Sequence, residues 1–124
     1  IVLLGADAAI SLQQAAVLKT QFGNDVGTRL AGSDRYDTSV AVSLDAFDPG
    51  VPYLFLTTGE NYPDGLAAGA IAGAKHVPVL LTRRNCLPPH VADEIARLGP
   101  GQVYVMGGTA AVAEAPPPAC VANP

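Results

Sequence analysis

Residues 51–73, VPYLFLTTGENYPDGLAAGAIAG, decide the fold. Within them Tyr53 to Thr57 is a short run of aromatic, leucine and threonine residues, apolar on both faces as a central parallel strand is. Thr58 to Tyr62 form a polar turn. Pro63 to Gly73 then carry only Ala, Gly, Leu and Ile beyond Asp64. Pro63 suits the first turn of a helix, and Asn61 is placed to cap it from outside. Three glycines, Gly65, Gly69 and Gly73, make this a poor helix by intrinsic propensity, at about 1 kcal/mol each against Ala. Such small side chains imply that a neighbour packs very close, so a leucine at Gly69 is expected to overpack the core. Strand, turn and buried small-residue helix together read as half of a βαβ unit.

The rest of the 124 residues fits one domain around that unit. Hydrophobic residues make up 49% and charged ones 15%, which leaves a surface short of charge and favours covered faces. The formal charge of −4 argues against nucleic acid, whose phosphates call for clustered Lys and Arg. No apolar run approaches the roughly 20 residues of a membrane span. The first residues already read as a strand, so a leader peptide is expected to lie outside this stretch. Cys86 and Cys120 have no CxxC or metal-ligand spacing. In a cytosolic protein they are unrelated thiols; in a secreted one they staple the tail to the domain. With Pro116, Pro117 and Pro118 in that tail, the staple is the simpler account.

Taken in order, Ile1 to Leu4 is a buried strand ending at Gly5. Ser11 and Gln14 form a capping box for a helix with Ala15, Leu18 and Phe22 on one face, stopped at Gly23-Asn24. A connector from Gly27 to Gly32 carries Arg29. A second helix starts at Ser33 or Asp34, with Tyr36, Val40, Leu44 and Phe47 sharing a face. After the central unit come a strand at Val77 to Thr82 and a helix opened by Pro88-Pro89 with Val91, Ile95 and Leu98 inward. Asp93 and Arg97 are spaced to pair on its outer side. The last strand is Val103 to Met106. Residues 1–10, IVLLGADAAI, match residues 103–112, VYVMGGTAAV, as in a unit cut from a tandem array. The fold class expected is α/β, a three-layer αβα sandwich with a small, mostly parallel sheet.

In such a sheet the strand carboxyl ends share one edge with the following helix N-termini. That edge collects Gly5-Ala6, Gly59 to Asn61, Arg83-Arg84 and Gly107-Gly108, a setting able to hold a carboxylate or phosphate or simply to form ordinary turns. No GxGxxG or Walker spacing is present, and no cofactor is expected. Glu60 and Asp64 have the spacing of an acid–base or Mg²⁺ pair, though such a pair more often serves a helix start. His76 and His90 lack metal spacing, and the serines and cysteines lack a catalytic context, so no enzyme is expected. Arg35, in the polar cluster Asp34 to Asp37, is a candidate salt-bridge partner for Asp64 or a ligand contact.

Four stretches in this order resemble the type 2 cell-wall-binding repeat of Gram-positive surface proteins: RLAGSDRYDTSVAVS (29–43), TTGENYPDGLAAGAIAG (57–73), VPVLLT (77–82) and VADEIARLGPGQVYVMGGTAAV (91–112). The resemblance implies a Rossmann- or Toprim-like fold without catalysis. It also implies an extracellular, cell-wall location and non-covalent attachment to an anionic cell-wall polysaccharide or teichoic-acid-like polymer. It divides the chain into residues 1–22, the end of a preceding repeat packed in the same domain; 23–113, a complete repeat; and 114–124, a proline-rich tail tied down by Cys120. Repeats of this kind pack in threes, so self-association or adjacent repeats are expected. The segment from Pro78 through Leu80 and Leu81 matches a motif tied to polymer binding. With it Arg35, Asp64, Arg83 and Arg84 form the expected ligand set. The rival expectations are a self-assembling subunit of a surface layer or filament and a degenerate Toprim-like hydrolase using Glu60 and Asp64.

Overall fold

The computed structural model describes residues 1–121; the end of the expected tail, residues 122–124, lies outside them. The chain runs β1 (Leu3–Leu4), α1 (Leu12–Phe22), β2 (Arg29–Leu30), α2 (Arg35–Ala46), β3 (Tyr53–Thr58), α3 (Pro63–Lys75), β4 (Val79–Thr82), α4 (Pro89–Leu98) and β5 (Gln102–Met106). All strand pairings are parallel. β3 lies between β4 and β5, with Phe55 opposite both Val79 and Tyr104, while β1 and β2 form a separate two-stranded sheet. The fold is thus the α/β class expected, with helices on both faces of the larger sheet.

The alternation of side chains along β3 sorts the core into two sides. Leu54 and Leu56, with Leu80 of β4, pack against Tyr36 of α2 and Val91 and Leu98 of α4. Phe55 faces the other way, onto Ala68 and Ala72 of α3. The start signals fall where the sequence puts them. Ser11 and Gln14 make the capping box of α1, and Asp34 Oδ1 accepts from the backbone N–H groups of Tyr36 and Asp37. The two cysteines are joined as a disulfide, and the tail lies beside Leu87, whose N–H donates to Pro118 O at 2.7 Å.

Several expectations are overturned. α3 is not a buried helix: its Ala68 and Ala72 side is covered, but a Cβ at Gly69 or Gly73 would meet nothing within 4 Å, and Leu66 and Ile71 are exposed. Small residues are required only along the line resting on β3, and the other glycines lie on the open side. Asn61 does not cap α3 from outside in the usual way; its Oδ1 accepts from the adjacent Tyr62 N–H, and Tyr62 occupies the cap position. In α2 the inward residue is Ser43, not Leu44, which is 55% exposed. Ser43 is drawn inward because its hydroxyl donates to Glu94 Oε1 at 2.6 Å. That same Glu94 takes Arg97 at 2.7 Å, so Arg97 turns inward and the pairing with Asp93 does not form. The expected inner face of α1 is open as well, since the helix buries no residue.

Candidate functional site

The carboxyl edge of the larger sheet is built by close approach of backbone and ring at Gly59. This residue follows β3, and its N–H donates to Thr82 O of β4 at 2.9 Å. A Cβ at Gly59 would lie 2.7 Å from the Tyr36 ring and 3.2 Å from Arg35 Cδ, so only glycine fits there. Arg35 Nη1 donates to Gly59 O at 2.6 Å. Tyr36, buried beneath, offers its ring to Arg83, whose guanidinium carbon lies 4.9 Å from the ring centroid. Burial raises the Tyr36 phenol above its usual pKa, with the nearby arginine charge working against the rise. α2 is pinned to this edge by Ser39 Oγ, which accepts from Leu81 N–H.

Arg84 is held from two sides. Its backbone N–H donates to Glu60 Oε1 at 3.1 Å, and its Nε donates to Ala110 O at 2.9 Å. Around Glu60, a cleft of about 300 Å³ is lined by Thr58, Asn61, Asp64, Gly108, Ala110 and Ala111. Two acids of this edge, Asp34 and Asp37, are satisfied by other donors. Asp34 caps α2; Asp37 accepts from Ser33 Oγ and lies 2.9 Å from His90 Nδ1. Those two hydrogen bonds, Ser33 first, hold Asp37 below the usual carboxylate range, and Asp37 in turn raises His90. Among the described residues, Arg35, Arg83 and Arg84 are therefore exposed and in no ion pair.

The expected ligand residues separate into those at the surface and those beneath it. Arg35, Arg83 and Arg84 come together at one edge, which α2 reaches with its N-terminus. Asp64 faces the cleft beside Gly107, where a Cβ would lie 2.6 Å from its Oδ2, and the expected Arg35–Asp64 pair is not formed. Pro78 and Leu80 are inside the core, out of reach of any polymer, because β4 is flanked by helices on both faces; Leu81 is half-buried. Tyr36 and Gly59 are the site-building residues that sequence reasoning did not single out for this role. A glycine directly after a central strand, facing an aromatic residue one position past Arg35, is the signal that marks them. Among the described residues no group of three His, Cys, Asp or Glu side chains is placed to hold a metal.

Comparison with known proteins gives this edge its context. Residues 29–115 match the model of the family described as Cell wall binding domain 2 (CWB2). An uncharacterized protein of Pyrococcus abyssi is 31% identical over 110 residues, covering 86% of this chain and 32% of that protein. The N-acetylmuramoyl-L-alanine amidase LytC of Bacillus subtilis is 29% identical over 84 residues, covering 68% of this chain and 17% of the amidase. In structure, Cwp6 from Clostridium difficile superposes with a TM-score of 0.77 at 22% identity, over 90% of this chain and 18% of that one. Cwp8 from the same organism gives 0.73 at 21% identity, again over 90% and 18%. The chain thus spans a third or less of these relatives. By the extent of the family match, the chain belongs to the cell wall binding domain 2 family.

Proposed function

We propose that this cell-wall-binding domain holds an anionic wall polymer at the carboxyl edge of its sheet, and so anchors an extracellular protein to the bacterial surface. One observation carries the reading: Arg35, Arg83 and Arg84 are exposed within one edge, and among the described residues none of their guanidinium groups is in an ion pair. A protein of net charge −4 meets an anionic polymer against long-range repulsion. Attraction must then come from contacts shorter than the roughly 8–10 Å over which salt screens charge. Guanidinium groups already held by Gly59 O, Ala110 O and the Tyr36 ring lose little freedom on meeting phosphate or carboxylate oxygens. Residues 1–22 fit the end of a preceding repeat in this reading, and 23–113 a complete one, with 114–124 as a tail. LytC carries an amidase name, but the shared part is a small fraction of it, and no hydrolysis is assigned here.

Co-sedimentation with purified walls tests the proposal. Arg83→Ala/Arg84→Ala is expected to weaken binding about tenfold or more, at roughly 1.5–3 kcal/mol per charged hydrogen bond. Lys75→Ala, at the opposite end of α3, is expected to leave it unchanged. Walls stripped of their secondary polymer should bind neither protein. Equal binding by the two variants, both folded by circular dichroism, would remove the site from this edge.

A further inference from the structure

The matching stretches 1–10 and 103–112 have the same conformation. Gly5 and Gly107 both sit at positive φ, +97° and +102°, and a Cβ on either would lie 2.8 Å from the Cβ of Ala9 or Ala111. The turn that follows repeats bond for bond. Ala9 and Ile10 donate to Ala6 O at 2.9 and 3.1 Å; Ala111 and Val112 donate to Gly108 O at 2.8 and 3.1 Å. What differs is occupancy. On the first copy lies β2, with Leu3 opposite Arg29 and Leu4 opposite Leu30. Gly5 N–H donates to Leu30 O at 2.8 Å. Arg29 donates to Gly5 O at 2.7 Å and Ile10 O at 2.8 Å.

On the second copy the counterparts are Val105, Met106, Gly107 and Val112. β5 is paired with β3 along one side only. Among the described residues, Gly107 N–H and the Gly107 and Val112 carbonyls have no protein partner. The other edge of the sheet is closed differently, since Leu81 N–H of β4 donates to Ser39 Oγ. We propose that residues 103–112 are a docking site for the Arg29-Leu30 strand of a second copy of this chain, added parallel to β5 with Leu30 opposite Met106. Arg29 of the incoming copy donates to Gly107 O and Val112 O, as it does to Gly5 O and Ile10 O at home.

The exchange is open to β2 because its own partner holds it lightly. The β1–β2 pairing is two residues long, and Leu3 is the one buried residue of 1–22. Thr109 stands where Asp7 approaches Arg29 to 3.8 Å, so the new grip rests on the backbone contacts. Such strand addition is head-to-tail and continues the sheet rather than covering a face.

Cysteine trapping tests this with the full chain. Leu30→Cys and Met106→Cys variants, mixed under mild oxidation, should give a linked dimer at several times the yield of a mismatched mixture of Met106→Cys with Leu44→Cys. Peptide mapping should place the new disulfide between positions 30 and 106, and Arg29→Ala added to the Leu30→Cys chain should lower the yield. A yield no higher than the mismatched mixture overturns the proposal. Should either variant fail to fold, the unsubstituted protein decides. Amide exchange at Gly107 should slow as protein concentration rises, and exchange independent of concentration overturns the proposal equally.

Discussion

Glu94 is the residue on which two helices depend. It is 3% exposed, yet it accepts from Ser43 of α2 and from Arg97 two-fold, while Arg97 also donates to Phe47 O at the end of α2. Burial alone would raise its carboxyl; the Arg97 and Ser43 hydrogen bonds more than offset this and leave it lowered. A lowered carboxyl adds stability above its unfolded pKa and loses it as pH falls through the folded one, so this contribution disappears on acidification below the ordinary glutamate range. Glu94→Leu leaves the buried Ser43 hydroxyl without its acceptor, at a cost of about 1–3 kcal/mol, while Arg97, whose side chain is 31% exposed, keeps water and Phe47 O. Urea unfolding at neutral pH should show that loss, and the gap from wild type should narrow in acid. His90 gives the opposite sign. Its raised value means that the Asp37 contact stabilises below the unfolded imidazole pKa and is lost as pH rises through the folded one. The NMR titration of His90 should move down towards the free imidazole value in Asp37→Asn; an unmoved midpoint would break the assignment. Neither network is legible in the sequence, where Ser43 and Glu94 stand 51 positions apart and nothing local couples them.

At the scale of elements, apolar periodicity served α4 well because Val91 and Leu98 are buried at helical spacing against the sheet. It misread α1 and α2. In α1 the pattern Ala15, Leu18, Phe22 describes a face that no described residue buries fully, and in α2 a hydrogen bond outweighs the burial of Leu44. For α3 the error was one of geometry. Small residues do let this helix approach β3, but four positions apart they form a line, Ala68 and Ala72, and not a whole surface. The expectation at Gly69 therefore reverses. Gly69→Leu should be tolerated, and stabilising by up to about 1 kcal/mol through helix propensity, whereas Ala68→Leu should cost about 1–3 kcal/mol by overpacking against Phe55. Melting temperatures of the two variants check this directly, and equal losses would mean that the open side of α3 is covered in solution. The arginine edge was legible in outline, because Arg83 and Arg84 follow an apolar strand and must emerge at its carboxyl end. The place of Arg35 was not, since it depends on which edge α2 starts from, and that is set by Ser39 reaching Leu81 across the fold.

For the molecule as a whole, the C-terminal tail replaces packing with a covalent tie. Residues 113–121 return along the start of α4 rather than over β5: Ala113 N–H donates to Arg84 O at 2.8 Å, and Cys120 N–H donates to Leu87 O at 2.9 Å. Pro117 is the buried residue among the three prolines, so the tail adds little apolar surface of its own. The Cys86–Cys120 disulfide closes a loop that contains α4 and β5, an edge strand of the larger sheet. Closing a loop of sequence separation 34 removes unfolded-state entropy worth about 3–4 kcal/mol in the chain-entropy description. That is a large share of the roughly 5–15 kcal/mol that holds a domain of this size folded. Cys86→Ala/Cys120→Ala should therefore lower unfolding free energy by about 3–4 kcal/mol. The edge proposed to bind the wall should respond too, because Arg83 and Arg84 precede Cys86 in the same short connection and Ala110 and Ala113 hold Arg84 from inside the loop. The expected pattern is a lower urea midpoint together with weaker co-sedimentation under conditions where the variant is still folded. Loss of stability with binding fully retained would show that the tie serves the fold alone, and that Ala110 and the Tyr36 ring suffice to place the two arginines.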